Sequence, residues 1–371
     1  MEPKTGAVYG GINQGHGQRT TDMTEMSKVA IIGTTSWGTT LGILLSRGGM
    51  EVSLWARTEE EAEKLNRNNE NAAHLPGFSF PPTLQSTASI AKALTDARLV
   101  ILAVPSQDMR HNARLLEGYL DNSMLIVNVA KGLEVDSAKR MSQVIAEEID
   151  HRLHPNICVL SGPNLSQEIA QGLPATTVIA AYEASVATNV QMMMSSSLFR
   201  AYTNTDVVGV ELGGVLKNII ALSAGMVDGL EYGNNTKAGL ITRGLAEITR
   251  LGVAAGANPL TFAGLAGLGD LVATCSSSLS RNRLVGQELA IGRKLEEIAA
   301  SMQGIAEGVT TTIPALKLAR EFKVEMPITE QVYRVLYEGL DVRQAVTELM
   351  ERELKHEFAG IFTTNPNEFG G

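Results

Sequence analysis

A lysine in an apolar, glycine-rich stretch is the first residue whose surroundings suggest chemistry. Lys217 lies within residues 211–225. Its neighbours on one helical face are small or apolar: Gly213, Gly214, Ile220 and Ala221. Another backbone or a ligand can approach such a face closely. Removal from water and nearby cations lower the pKa of an ammonium group, which then exchanges protons near neutral pH. Lys217 is therefore a candidate acid–base group; the alternative is a lysine that reaches solvent from a packed helix.

A second lysine stands where an apolar strand is predicted to end. The run from Met124 to Val129 is followed by Ala130, Lys131 and Gly132. Open α/β sheets bind their ligands at the carboxyl ends of the strands. Lys131 is therefore a second candidate, and the alternative is a surface lysine in a loop.

A hydroxyl-rich loop is the third chemical feature. Residues 276–280 contain four serines and precede Arg281, Asn282 and Arg283. An arginine near a helix start, beside serine hydroxyls, could hold a phosphate through charge-assisted hydrogen bonds. A capped surface helix would show the same residues without any ligand.

The element that must position a nucleotide lies near the N-terminus. The apolar run Val29 to Ile32 predicts a buried strand, residues 33–38 a glycine-rich turn, and Thr39 to Arg47 a helix. A second strand is predicted from Val52 to Trp55. This order predicts a βαβ unit whose helix N-terminus can hold a pyrophosphate.

The glycine fingerprint of this turn is incomplete. The pattern G-x-G-x-x-G is matched by Gly33 and Gly38, but Thr35 replaces the middle glycine. A β-branched residue there narrows the approach of a phosphate to the backbone, so a crossover without a ligand stays an alternative. Ser36 on this turn resembles the nucleophile of a hydrolase, but Thr34 replaces the glycine that such a turn requires, and we discard that interpretation.

The residue after the second strand bears on the coenzyme. In NAD-specific folds an acid about 20 residues beyond the glycine loop binds the ribose hydroxyls. Here Arg57 stands at that place, and the first acid is Glu59. A guanidinium suits a 2′-phosphate, so the sequence favours NADP(H) and leaves NAD(H) open. Alternatively, Arg57 stacks on the adenine or is solvated.

The remaining pattern divides the chain into two parts. Further strands are predicted at residues 98–104, 124–129, 157–160, 176–181 and 201–203. Helices or helical turns are predicted at residues 210–227, 237–251, 260–275, 281–291, 295–301, 313–322, 328–337 and 342–350. We predict an α/β fold with a Rossmann-type dinucleotide-binding domain at 28–207 and an all-helical domain at 208–357. Residues 1–27 are predicted to be a flexible extension and 358–371 a flexible tail.

Composition excludes several classes of protein. The chain has 371 residues, 44% of them hydrophobic, and a formal net charge of −9. Such a charge repels nucleic acids and anionic membranes, and 5% aromatic residues argue against a base-stacking surface. Two cysteines far apart in sequence argue against a disulfide framework or a thiolate metal site. No apolar run is expected to reach membrane length, and we predict a cytoplasmic protein without a membrane span.

Eight segments in this order resemble NAD(P)-dependent sn-glycerol-3-phosphate dehydrogenases of the bacterial type. They are IIGTTSWGTTL, NVAKGLE, LSGPNLSQEIAQGLPA, GGVLKNIIALSAGM, NNTKAGLITRGLAE, GLAGLGDLVATC, SRNRLVG and AEGVTTT. The resemblance covers about residues 28–357. It implies a dimeric cytoplasmic enzyme that interconverts sn-glycerol 3-phosphate and dihydroxyacetone phosphate and supplies phospholipid synthesis.

The resemblance also implies roles for individual residues. Lys217 would exchange a proton with the substrate C2 oxygen, and Lys131 would stabilise the charge there. Asp270 would orient Lys217 or the substrate. The substrate-binding residues would be Lys131, Asn218, Thr274, Arg281 and Asn282, with Lys237 as a secondary candidate. The cofactor-binding residues would be Gly33, Thr35, Ser36, Trp37, Gly38, Arg57, Lys131, Arg281 and Glu307. No metal is expected.

The implied mechanism is direct hydride transfer between the substrate C2 and the nicotinamide C4, with Lys217 as the proton donor in reduction. Two departures from the family pattern are Thr35 and Asn164, the latter at a position where serine is common. Two other classes remain open. One is a related dehydrogenase of a hydroxy acid or sugar acid, and the other is a non-catalytic nucleotide-binding protein.

Overall fold

The computed structural model describes residues 27–302 and 306–357. The predicted flexible extension, apart from Ser27, and the predicted flexible tail lie outside these residues. One eight-stranded sheet forms the first part of the structure. Its strands are β1 (Lys28–Ile32), β2 (Glu51–Trp55), β3 (Leu84–Thr87), β4 (Ala97–Leu102), β5 (Leu125–Asn128), β6 (Ile157–Ser161), β7 (Ala175–Ala180) and β8 (Phe199–Asn204).

The strand order places several strand ends at one edge of the sheet. The order is β3-β2-β1-β4-β5-β6-β7-β8, and every neighbouring pair is parallel except β6 and β7. In the register of the sheet, Ile32 of β1 pairs with Trp55 of β2 and with Leu102 of β4. From β1 the chain adds β2 and β3 on one side and β4 on the other, so the strand order reverses between β1 and β4. Doubly wound folds bind nucleotides at this point.

Short helices and turns connect the strands. The helices are α1 (Ser36–Arg47), α2 (Glu59–Asn68), α3 (Ile90–Leu94), α4 (Met109–Leu116), α5 (Met141–Glu148), α6 (Ser166–Ala170) and α7 (Ala184–Met194). Three 3₁₀ turns span Ser106–Asp108, Glu117–Tyr119 and His151–Asn156. Side-chain caps begin several of these helices: the Thr35, Thr58 and Ser89 hydroxyls accept backbone N–H groups of α1, α2 and α3.

The second part is helical. Its helices are α8 (Val207–Gly229), α9 (Gly233–Ala254), α10 (Pro259–Phe262), α11 (Asp270–Ser276), α12 (Arg281–Ala290), α13 (Leu295–Ser301), α14 (Glu307–Glu321), α15 (Pro327–Tyr337) and α16 (Val342–Met350). A π-helical turn, Leu265–Gly269, joins α10 to α11. The predicted class, a Rossmann-type fold followed by a helical region, is confirmed.

Helix α8 is the core of the helical part. Its residues are buried on all sides from Gly209 to Val227, and α9, α11, α12, α14 and α15 pack around it. Two glycines bring α8 and α12 into backbone contact. A Cβ at Gly225 would collide with the Arg283 carbonyl, and a Cβ at Gly286 would collide with the Leu222 carbonyl. Glycine is therefore required on both sides of this crossing.

The length of α8 corrects one expectation. By length and composition, α8 and the stretch Pro259–Ser276 are the two described helical stretches apolar enough to cross a membrane. The prediction that no apolar run approaches this length is therefore wrong. In α8, however, 94% of the apolar window is buried inside the protein, as in a core helix. The apolarity of α8 thus reflects packing within the fold.

Some predicted elements differ from the observed ones. Residues 260–275, predicted as a helix or helical turns, fold as three helical pieces: α10, the π-helical turn and α11. The last strand ends at Asn204 and α8 begins at Val207, close to the predicted boundary. Because α8 also packs against β6 and β7, the division at residue 207 stays a prediction.

Candidate active site

The Lys217 side chain lies inside the helical part, with one face open to polar partners. Only 6% of the residue is exposed, and its Nζ donates to Asp270 Oδ1 and to Thr274 Oγ1, both at 2.5 Å. The π-helical turn directly precedes Asp270, which begins α11. Four residues later on α11, Thr274 donates to the Asp270 carbonyl at 2.7 Å. The turn of α11 thus presents both partners to Lys217.

Asp270 is shared by two lysines. Its Oδ2 accepts a hydrogen bond from Lys131 Nζ at 2.6 Å, and Lys131 also donates to the Gly162 carbonyl at 2.9 Å. Asp270 is 1% exposed, whereas Lys131 is partly exposed. The structure therefore brings together three predicted catalytic residues, which we call the Lys–Asp–Lys cluster: Lys131, Lys217 and Asp270.

The electrostatics of this cluster favour proton exchange. Burial lowers the pKa of Lys217 from 10.5 to about 8, because an ammonium group loses its hydration there. The Asp270 carboxylate opposes this shift, and the Lys131 ammonium adds to it. A group with a pKa near 8 is populated in both forms close to neutral pH, as an acid–base catalyst requires.

Two buried amides connect Lys131 to the helical part. The Asn218 amide donates to the Lys131 carbonyl at 3.3 Å, and Asn282 Nδ2 donates to Asn218 Oδ1 at 3.0 Å. Asn282 Oδ1 in turn accepts the Gly308 N–H at 2.9 Å. Asn218 and Asn282, both predicted to bind substrate, thus form hydrogen bonds that link the Lys131 loop, α8, α12 and α14.

Arg281 and Glu307 lie at the starts of two helices. Arg281 begins α12 and is exposed, and among the described residues no hydrogen bond or ion pair to its guanidinium was found. Glu307 begins α14, and its Oε2 accepts from Ser106 Oγ at 2.7 Å. Desolvation lowers the pKa of Arg281 and raises that of Glu307, and their mutual attraction opposes both shifts. The Glu307–Ser106 bond ties α14 to the segment after β4.

Lys237 has other partners than the Lys–Asp–Lys cluster. Its Nζ forms an ion pair with Asp228 at 2.8 Å, and Asp228 also accepts from Arg283 Nε at 2.5 Å. The structure therefore gives this secondary candidate a place in an ion-pair group between α8, α9 and α12. Asn164 follows Gly162 by two residues, and its side chain donates to Thr177 Oγ1 of β7 at 3.0 Å.

The loop after β1 has the geometry of a phosphate cradle. Gly33 has φ +109°, a conformation that side chains disfavour, and a Cβ there would lie 2.8 Å from the Ala103 carbonyl oxygen. A Cβ at Gly38 would collide with the Gly33 carbonyl. Glycine is required at both positions, which keeps the N-terminus of α1 close to the sheet.

Thr35 fits this loop by capping the helix. Its φ of −61° needs no glycine. The Thr35 Oγ1 accepts the Gly38 N–H at 3.1 Å and donates to the Ala103 carbonyl at 2.8 Å. These bonds accommodate a threonine in the loop, and the narrowing of the phosphate approach by its side chain stays a prediction. Ser36 and Trp37 form the first turn of α1, and Trp37 Nε1 is a buried donor with no partner among the described residues. A helix N-terminus with a spare donor fits the pyrophosphate of a dinucleotide.

The sequence reasoning missed two polar residues near these strand ends. Ser106 holds Glu307, and its position directly after a predicted strand was the available signal. Glu61 accepts the Arg57 backbone N–H at 3.2 Å, although only Glu59 was weighed as an acid near Arg57. The Arg57 side chain itself is exposed. Within residues 27–302 and 306–357, no group of three or more histidine, cysteine or acidic residues could hold a metal ion.

Comparisons with known proteins identify the family of the chain. Residues 28–187 match the family model of the NAD-dependent glycerol-3-phosphate dehydrogenase N-terminus, and residues 206–347 match that of its C-terminus. A glycerol-3-phosphate dehydrogenase, NAD(P)+, of Dehalococcoides mccartyi is 56% identical over 336 residues, covering 90% of this chain and 94% of the relative. Another, of Desulfitobacterium hafniense, is 48% identical, covering 91% of this chain and 94% of the relative.

A solved structure gives the same result. The crystal structure of glycerol-3-phosphate dehydrogenase from Coxiella burnetii superposes with a TM-score of 0.84 at 36% identity, covering 88% of this chain and 99% of that chain. The resemblance predicted from the eight sequence segments is confirmed. The chain therefore belongs to the family of NAD(P)-dependent glycerol-3-phosphate dehydrogenases.

Proposed function

We propose that the chain interconverts sn-glycerol 3-phosphate and dihydroxyacetone phosphate with NAD(P)H as coenzyme. The observation that carries this function is the shared Asp270, which holds the ammonium groups of Lys217 and Lys131 within 2.6 Å of one carboxylate. Two cations and one anion leave a net positive charge, which attracts an anionic substrate despite the negative charge of the whole chain.

In our mechanism, Lys217 exchanges a proton with the substrate C2 oxygen. During reduction its ammonium donates a proton to the developing alkoxide, and Lys131 stabilises the charge on that oxygen. Asp270 positions both lysines. When bound, the coenzyme supplies the hydride, and Gly33, Thr35, Ser36, Trp37 and Gly38 would hold its pyrophosphate, with Glu307, Lys131 and Arg281 near its other end.

The pH dependence should report the Lys217 pKa. Because reduction needs the ammonium form, kcat for dihydroxyacetone phosphate reduction should fall above a pKa near 8. Because oxidation needs the neutral amine, kcat for glycerol 3-phosphate oxidation should rise through the same pH range. Steady-state rates in both directions from pH 6 to 10, at saturating substrates, measure this (the pH values are about two units either side of the expected pKa). Parallel profiles in the two directions would contradict the assignment.

Arg281 is proposed to bind the substrate phosphate together with Asn282 and Thr274. A free guanidinium at the start of α12 can form charge-assisted hydrogen bonds worth about 1.5–3 kcal/mol each. The variant Arg281→Ala should therefore raise the substrate KM by about 10–100-fold. Arg320→Ala, an exposed arginine on α14, is the control. An unchanged KM in Arg281→Ala would remove the phosphate role.

The coenzyme preference is proposed from Arg57. It follows β2 and is exposed, so its guanidinium is available to a 2′-phosphate, which favours NADP(H) while NAD(H) stays usable. Kinetic measurement of kcat/KM with NADPH and with NADH tests this preference.

The decisive experiment is reduction of dihydroxyacetone phosphate, followed by the absorbance of each reduced coenzyme. Turnover only with hydroxy-acid or sugar-acid substrates would favour a related dehydrogenase, and coenzyme binding without any turnover would favour a non-catalytic protein.

We further propose that the enzyme is a cytoplasmic homodimer that supplies glycerol 3-phosphate for phospholipid synthesis. Residues 28–207 would carry the coenzyme and 208–357 the helical part of the substrate site.

A further inference from the structure

A glutamate joins the loop after β1 to the residue after β2. Glu61 Oε1 accepts a hydrogen bond from Thr34 Oγ1 at 2.5 Å, and Glu61 Oε2 accepts the Arg57 backbone N–H at 3.2 Å. The Glu61 N–H is itself fixed by the Thr58 cap at 3.2 Å. The carboxylate is therefore held in one place, and each of its oxygens keeps one further acceptor position.

The place of this carboxylate is the ribose end of a dinucleotide site. β1 and β2 are adjacent parallel strands whose ends pair at Ile32 and Trp55, and Thr34 and Arg57 follow these ends by two residues each. In such folds the adenosine ribose lies between these two strand ends. Glu61 bridges them, and it lies about 20 residues beyond the glycine loop, where an acid binds ribose hydroxyls.

Its charge acts against that of Arg57. A carboxylate accepts hydrogen bonds from ribose hydroxyls, but it repels a 2′-phosphate, which carries close to two negative charges at neutral pH. The Arg57 guanidinium attracts that phosphate. The neighbouring acids on α2, Glu59 and Glu60, are exposed, and no contact with the β1 loop was found for either within the described part of the chain.

We propose that Glu61 is a coenzyme-specificity residue, which binds the ribose hydroxyls of NAD(H) and disfavours the 2′-phosphate of NADP(H). Glu61 and Arg57 oppose each other, so the unaltered enzyme accepts both coenzymes. This inference rests on the proposed function, because it requires that the loop bind a dinucleotide.

The test measures binding of two coenzyme fragments, 5′-AMP and 2′,5′-ADP (adenosine 2′,5′-bisphosphate), to the whole chain by isothermal titration calorimetry. The measured quantity is the ratio Kd(5′-AMP)/Kd(2′,5′-ADP), which reports the contribution of the 2′-phosphate, because the two fragments differ in that group alone. Glu61→Gln removes the charge and keeps an acceptor for Thr34, and it should raise this ratio about tenfold. Arg57→Ala should lower it by a similar factor.

Glu60→Gln is the matched control, since it removes the same charge from the preceding residue of α2. Its ratio should stay within about twofold of that of the unaltered chain. An equal rise in Glu60→Gln and Glu61→Gln, or no rise in Glu61→Gln with a thermal midpoint equal to that of the unaltered chain, overturns the Glu61 role and leaves the proposed function intact. Absence of binding of both fragments to the unaltered chain overturns dinucleotide binding itself, and the Glu61 role with it.

Discussion

Replacing Lys217 with alanine should reduce kcat for dihydroxyacetone phosphate reduction by about 10²–10⁴-fold, the usual contribution of a positioned acid–base group. No other described side chain shares its position, since Lys131 meets the opposite oxygen of Asp270. The coenzyme should still bind, because the loop residues 33–38 belong to a different element. Coenzyme titration and steady-state kinetics on the same preparation measure the two effects separately.

The fold should survive the loss of Lys217. Asp270 keeps its ion pair with Lys131 at 2.6 Å, so the substitution leaves no buried carboxylate without a cation. Lys64→Ala, an exposed lysine on α2, is the control for the loss of one positive charge and should keep normal turnover. Near-normal kcat in Lys217→Ala would remove the acid–base assignment. A kcat loss accompanied by a loss of coenzyme affinity would indicate general damage to the structure instead.

The second large effect should come from Asp270→Asn. This change keeps the shape of the side chain and removes the one carboxylate that both lysines share. Two neighbouring ammonium groups would then lack a counter-ion in a buried site, and breaking such a pair typically costs about 3–5 kcal/mol of unfolding free energy. We expect kcat to fall by about 10²–10³-fold, because Lys217 and Lys131 lose their common anchor.

The pH profile distinguishes this positioning role from a merely structural one. Asp270 raises the pKa of Lys217 against the effect of burial, so its removal should shift the reduction profile to lower pH. Asp228→Asn is a matched control, since Asp228 is also shared by two cations, Lys237 and Arg283, at a more exposed place. That variant should lose stability without moving the profile. A loss of stability in Asp270→Asn with an unshifted profile would contradict the coupling to Lys217.

Local sequence patterns predicted the structure correctly where one short segment determines it. The apolar runs around Val29 and Val52, with glycines between them, predicted the βαβ unit correctly, because a buried parallel strand needs continuous apolar residues. The small and apolar neighbours of Lys217 predicted its burial in the same way. In both cases the fold follows from residues that are close together in sequence.

Residue spacing alone does not show which distant residues meet. Asp270 lies 53 positions from Lys217, and the resemblance to the family, not the spacing, predicted that Asp270 orients Lys217. The helix α2 buries only Ala62 and Leu65, no helix was predicted there, and Glu61 was overlooked with it. The segment 260–275 is also shaped by a distant contact, because a Cβ at Gly213 of α8 would lie 2.7 Å from the Ala266 carbonyl oxygen of the π-helical turn. Such constraints appear only when the chain is folded.

The enclosure of α8 has a consequence for the order in which the protein is made. Lys217 is synthesised before every helix that surrounds it, and the last of these, α15, ends at Tyr337, about 120 residues later. At translation rates of about 5–20 residues per second, roughly 6–24 s separate the two events. During that interval α8, an apolar helix of 23 residues, gains its partners in turn, since β6 and β7 precede it, α9 follows directly and α15 comes last. The enclosure of α8 is therefore completed late, once α15 has been made.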